Sequence, residues 1–276
     1  LIFSFFQDKK AEMDGTFVVR LALTFVVGGL WVAGATALAE RAGTKIGGWV
    51  SGLPSTVVVA LFFIGLTQTP RAAAQAALMV PLTAGLNGLY LASFVRLSRR
   101  GFARGLAIAL MIWFSTAAVL SRLQVASLGL SIAGWAAATP AACLLLRKET
   151  LGQLTGGAKT GSLLGMLASR ALAGGVVVAA AVAAARLSGP LLGGIFAAFP
   201  GVFSSTILVA YRSNGLDFAL AIAKPMMFSG LINVAVYGAA VHLAYPSFGL
   251  AAGTAVAFGI STISALLVFR ILARPS

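Results

Sequence analysis

Charge is what this chain has least of. Only 9% of its 276 residues are charged, against about a quarter in a soluble domain, while 59% are hydrophobic and the mean hydropathy is +0.99. Such a composition belongs to an integral membrane protein. One cysteine, Cys143, and one histidine, His242, exclude a thiolate or imidazole metal site, a disulfide framework and a Cys/His dyad. No metal and no cofactor is therefore expected. The carboxylates Asp8, Glu12, Asp14, Glu40, Glu149 and Asp217 all fall in or beside connections, so none stands in mid-membrane for a proton relay or an acid/base pair. Without a nucleophile, base and orienting group, an enzyme is not expected either. Transport, conduction, lipid handling or a structural role remain.

What the chain does have is apolar length and basic charge. Lysine and arginine total 20 against 6 acidic residues, a formal charge of +14. The bases occupy short gaps between apolar stretches, where they read as topology signals and as contacts to anionic lipid. Membrane lipids are expected partners and nucleic acid is not.

Apolar runs long enough to cross about 30 Å of hydrocarbon, roughly 20 helical residues, lie near 17–39, 44–67, 70–95, 102–121, 124–146, 163–185, 190–211, 216–244 and 247–271. These predict an all-α fold of nine transmembrane spans. Polar or turn residues punctuate them at Glu40-Arg41, Thr69-Pro70-Arg71, Arg96 to Arg104, Arg122, Lys148 to Gly161, Arg186, Arg212 to Asp217 and Tyr245-Pro246. One side of the resulting arrangement collects thirteen bases, including Arg41, Arg96, Arg99, Arg100, Arg104, Arg147, Arg170, Arg212 and Arg270; the other holds Lys9, Lys10, Arg20, Arg71, Arg122 and Arg186. The positive-inside rule then predicts a cytoplasmic C-terminus and an external segment before span one, in a bacterial-type cytoplasmic membrane.

The chain repeats itself. Gly47-Gly48 and Gly193-Gly194, Pro54 and Pro200, Asn87 and Asn233, Phe102 and Phe248, and Ser115-Thr116 and Ser261-Thr262 are each separated by 146 positions, without a gap. Alanine or leucine matches would mean little in so apolar a chain, but these residue types in one frame point to a duplicated unit. Spans one to four recur as spans six to nine. Equivalent spans are five apart, and an odd number reverses direction, so the copies are expected to be inverted across the membrane plane. The predicted organisation is an external segment 1–16, a first repeat 17–121, a linking helix and cytoplasmic linker 122–162, and a second repeat 163–276. Leu1 to Phe6 read either as a short interfacial segment or as the tail of a tenth span, which would complete a five-plus-five plan.

With Phe199-Pro200-Gly201, Ser204-Ser205, Gly215 and Asp217 added to the repeat, the chain resembles the broad group of small five-plus-five inverted-repeat carriers, the architecture of bile-acid-type and auxin-type carriers and several exporters. The resemblance implies alternating access.

The residues themselves outline a site. Pro54 and Pro200 each fall about ten residues into a span, where proline removes a donor and clashes with the carbonyl four residues earlier, at Val50 or Phe196. Ser55 and Thr56 follow the first; Ser204, Ser205 and Thr206 follow the second. Spans three and eight add polar faces, Thr83, Asn87 and Tyr90 in one and Ser229, Asn233 and Tyr237 in the other, at helical spacing. The expectation is that both asparagines face a common mid-membrane space. Lys224 is taken as the one intramembrane charge, either snorkelling or binding an anion, and His242 as an interfacial or capping residue. The leading expectation is a carrier for a small anionic or zwitterionic solute. A channel, a lipid flippase or scramblase, and a non-transporting subunit of a membrane complex stay open, as does a homo-oligomer.

Overall fold

The computed structural model describes residues 15–41, 54–123, 125, 127–147 and 163–272. Segment 1–14, the linker from Lys148 to Gly161 and the Gly47-Gly48 pair lie outside the described residues. Every regular element among those described is an α-helix: α1 (Gly15–Arg41), α2 (Ser55–Thr67), α3 (Pro70–Ala77), α4 (Met79–Ser98), α5 (Phe102–Leu123), α6 (Leu128–Arg147), α7 (Leu163–Ser188), α8 (Pro190–Ala197) and α9 (Gly201–Leu272). Seven helical stretches are long and apolar enough to cross a membrane, while α2 has only 13 residues. The protein is therefore of the all-α integral membrane type.

Although α9 covers 72 residues, it is divided at Gly215 (φ 83°, ψ −175°) and Gly249 (φ 70°, ψ −170°). Both conformations are natural only to glycine, and both fall where the sequence places breaks, beside Arg212 to Asp217 and just after Tyr245-Pro246. Helix boundaries also recur at the 146-residue offset. Pro54 directly precedes α2 and Pro200 directly precedes α9; Thr69 precedes α3 where Gly215 divides α9; Phe102 opens α5 where Phe248 abuts the Gly249 break.

The apolar stretch of α3 and α4 is the centre of the molecule, 83% buried, whereas that of α6 at the periphery is 11% buried. Local chemistry explains the interruption between α3 and α4. Thr69 Oγ1 accepts from the Ala72 N–H at 3.0 Å and Pro70 opens the helix. Pro81 has no N–H to offer and crowds the carbonyl at Ala77, and at the adjoining turn the Leu78 N–H reaches Gln75 O at 3.2 Å. That choice releases the Ala74 carbonyl, which accepts from His242 Nδ1 at 2.8 Å. The Leu82 N–H donates to Ser131 Oγ on α6 at 3.1 Å. His242 thus completes a broken backbone, much as a capping residue does.

Glycines set the closest helix contacts. A Cβ on Gly28 would lie 2.9 Å from that of Val178, and one on Gly174 would lie 2.8 Å from that of Val32; a Cβ on Gly29 would lie 2.8 Å from Ala171 O, and one on Gly175 2.6 Å from Phe25 O. As residue number rises along α1 it falls along α7, so the two helices run antiparallel. Each contact also has its exchange partner, since adding 146 to one side and subtracting it from the other converts Gly28–Val178 into Gly174–Val32, and Gly29–Ala171 into Gly175–Phe25. Ala74 with His242, Val80 with Gly238 and Gly88 with Leu231 likewise show spans three and eight running antiparallel.

Candidate functional site

Around Pro200 the helical backbone is interrupted. Helix α8 ends at Ala197 and α9 starts at Gly201, with the Phe199 N–H on Phe196 O at 3.0 Å and the Gly201 N–H on Phe199 O at 2.8 Å. The carbonyl expected to be orphaned, that of Phe196, is thereby satisfied locally. The one at Ala198 is not, and it accepts from Asn87 Nδ2 at 2.8 Å. Asn87 Oδ1 in turn accepts from Trp113 Nε1 at 2.9 Å, which fixes the orientation of the amide.

One turn further along α4, Tyr90 meets Ser204. Ser204 Oγ donates to Pro200 O at 2.7 Å, so the 2.8 Å contact between the two hydroxyls has Tyr90 as donor. An aromatic cluster closes over the break. Trp113 meets Phe199 edge-on at 4.9 Å and Phe196 at 6.4 Å, and Phe114 lies 5.5 Å from Phe199. Asn87, Tyr90 and Trp113 are buried and Ser204 is half-buried. Chemically this is a backbone interruption in an apolar layer, held by one amide, two hydroxyls and an indole.

Of the predicted site residues, Asn87, Tyr90, Pro200 and Ser204 come together here. Thr83 is buried on the same face, but its Oγ1 donates to Met79 O within α4 at 2.8 Å. Ser205 and Thr206 donate to Val202 O at 3.0 and 2.7 Å. Pro54, buried, and Ser55 and Thr56, half-buried, form the start of α2, with no side-chain cap. Asn233 is also buried; its Oδ1 accepts from Ser264 at 3.2 Å and its carbonyl from Ser261 at 3.2 Å, both on the last segment of α9. Tyr237 is fully buried in the core formed by α2, α3, α7 and residues 237–257. The side chains of Lys224 and Ser229 lie outside the described residues.

Some participants escaped the sequence reading. Trp113 is 26 residues from Asn87, and nothing in an apolar run distinguishes an indole with a partner from one in lipid. Arg170, counted among the cytoplasmic bases, lies seven residues into α7, half-buried, with Nη1 donating to Thr36 Oγ1 on α1 at 3.1 Å. Its depth was legible, because it falls inside the predicted 163–185 span. A cleft of about 210 Å³ lined by Arg20, Leu23, Phe63, Leu66 and Thr67 contains none of the predicted site residues.

The fold and this site define an integral membrane protein built on interrupted helices. Residues 21–126 match a family described as "Protein of unknown function (DUF3147)". The matched segment starts within span one and ends after span four, so it coincides with the first copy of the sequence repeat. No curated protein and no solved structure matches the chain.

Proposed function

We propose that the protein is a carrier for a small solute, built from two inverted copies that rock against each other to expose a central site alternately to each side. The observation that carries this reading is the reciprocal α1–α7 contact. Gly28–Val178 with Gly174–Val32, and Gly29–Ala171 with Gly175–Phe25, are what a pseudo-two-fold axis between antiparallel helices produces. Dividing α9 at Gly215 and Gly249 supports three spans within it, as the nine-span reading requires. The base asymmetry supports a cytoplasmic C-terminus.

An anionic or zwitterionic solute is favoured. Two helices start beside prolines inside apolar sequence, at Ser55 and Gly201, and helix starts carry partial positive charge. Lys224, whose counterpart at the 146-residue offset is the apolar Leu78, adds a cation to one copy only.

The test is flux into proteoliposomes from a panel of organic anions, amino acids and phosphate, with and without sodium and pH gradients. Saturable uptake with counterflow is expected; downhill flux without either would make the protein a channel. Lys224→Gln is expected to weaken discrimination for anions with little change in expression, read as relative uptake of an anion and its neutral analogue.

A further inference from the structure

The two ends of the molecule are closed by different chemistry. At one end Phe102, the first residue of α5, stacks on Tyr211 with ring centroids 3.8 Å apart and planes 6° from parallel, and Phe94 meets Phe102 edge-on at 5.8 Å. Exposed Arg96, Arg99, Arg100, Arg104 and Arg212 surround these rings in sequence. The contacts are ordered in depth. Along α4 run Asn87, Tyr90 and Phe94, opposite Ala198, Ser204 and, through Phe102, Tyr211. Ser204 precedes Tyr211 by seven residues, so the stack lies roughly 10 Å along the helix from Ser204, on the same helix face, and about 15 Å from the Pro200 break.

At the opposite end the 146-residue offset replaces Tyr211 with Gly65, Phe94 with Ala240 and Phe102 with Phe248. Phe248 is 60% exposed, and the space beside Gly65 is taken by Leu250, with a built Cβ 2.5 Å from its Cδ1. Phe62 and Phe63 meet edge-on at 6.1 Å on the same helix, but no parallel stack forms there among the described residues.

We propose that the Phe102–Tyr211 stack, braced by Phe94, is the barrier that shuts the arginine-rich end of the molecule against water and solute. At the opposite end Leu250 fills the space beside Gly65 where the stack would stand. This rests on the carrier reading, but the barrier has its own readout. A stacked pair buries the facing surfaces of two large rings and adds a specific ring–ring contact to that burial.

The experiment uses the full chain with Cys143→Ser and a reporter Ser204→Cys, reconstituted in vesicles. Labelling is with a membrane-impermeant cationic methanethiosulfonate applied separately to each face. Tyr211→Ala and Phe102→Ala are each expected to raise the labelling rate from the arginine-bearing face at least tenfold, with labelling from the other face unchanged. Tyr211→Phe, which keeps the ring, should stay at the parent rate, and this guards against a variant that has merely unfolded. Unchanged labelling in both alanine variants, or Tyr211→Phe as open as Tyr211→Ala, overturns the barrier. If labelling rises as expected while no member of the solute panel is taken up by the parent protein, the carrier reading fails and the barrier stands.

Discussion

Asn87 and Asn233 occupy the same place in the two copies and are wired differently. Asn87 holds the Ala198 carbonyl at the Pro200 break, with Trp113 behind it; Asn233 accepts hydroxyls from Ser261 and Ser264 on the next segment of α9. Duplication gave both copies an asparagine, but the residue at the position of Trp113 in the second copy is Gly259, and that at Ser264 in the first is Ala118. The indole that braces Asn87 and the hydroxyl that braces Asn233 therefore have no counterpart of their own type in the other half.

The strongest challenge to that comparison is Asn87→Leu. It strands a buried carbonyl and a buried indole N–H, at about 1–3 kcal/mol for each group left unpaired, although polar contacts between membrane helices have averaged nearer 0.6 kcal/mol where measured. We expect the melting temperature in detergent to fall further for Asn87→Leu than for Asn233→Leu, because the first also strands the Trp113 indole, for which the second half has Gly259. Equal losses would mean that the two networks do the same work.

A smaller effect sharpens the symmetry. Gly28→Ala and Gly174→Ala put a methyl against a valine across the α1–α7 contact, at distances of 2.9 and 2.6 Å, and overpacking of this kind costs about 1–3 kcal/mol. The two losses should agree within about 0.5 kcal/mol, the usual margin for independent sites, and a marked inequality would break the exchange relation. Smallest of all is Gly34→Ala on the same helix. Among the described residues nothing lies within 4 Å of its Cβ, so denaturation should shift by no more than about 0.5 kcal/mol, in the stabilising direction because alanine is the better helix former.

The sequence was most legible where rare residue types stood in apolar surroundings. Gly215, Pro54, Pro200 and the paired asparagines announced breaks and a repeat, and helix boundaries recur at that spacing. It was least legible where the decisive partner was a backbone atom. Neither the Ala198 carbonyl, held by Asn87, nor the Ala74 carbonyl, held by His242, can be foreseen from residue types, because every residue has a carbonyl and only the fold decides which one loses its helical donor. For the same reason Pro200 announced a break without announcing what would receive the groups it releases. Trp113, Phe196 and Phe199 were hidden by their abundance, since aromatic rings facing lipid and rings facing one another have the same spacing in sequence.

The long reach of these contacts has a consequence for biosynthesis. The Ala198 carbonyl is made 111 residues after Asn87, and Arg170 134 residues after Thr36. At roughly 5–20 residues per second, α1 enters the bilayer on the order of ten seconds before the helix that will cover it. Bare α1 is apolar enough to wait in lipid, but the amide of Asn87 is not so easily left there. Trp113, only 26 residues later, is the first partner to emerge, and it can chaperone the amide within the nascent first copy until the second arrives.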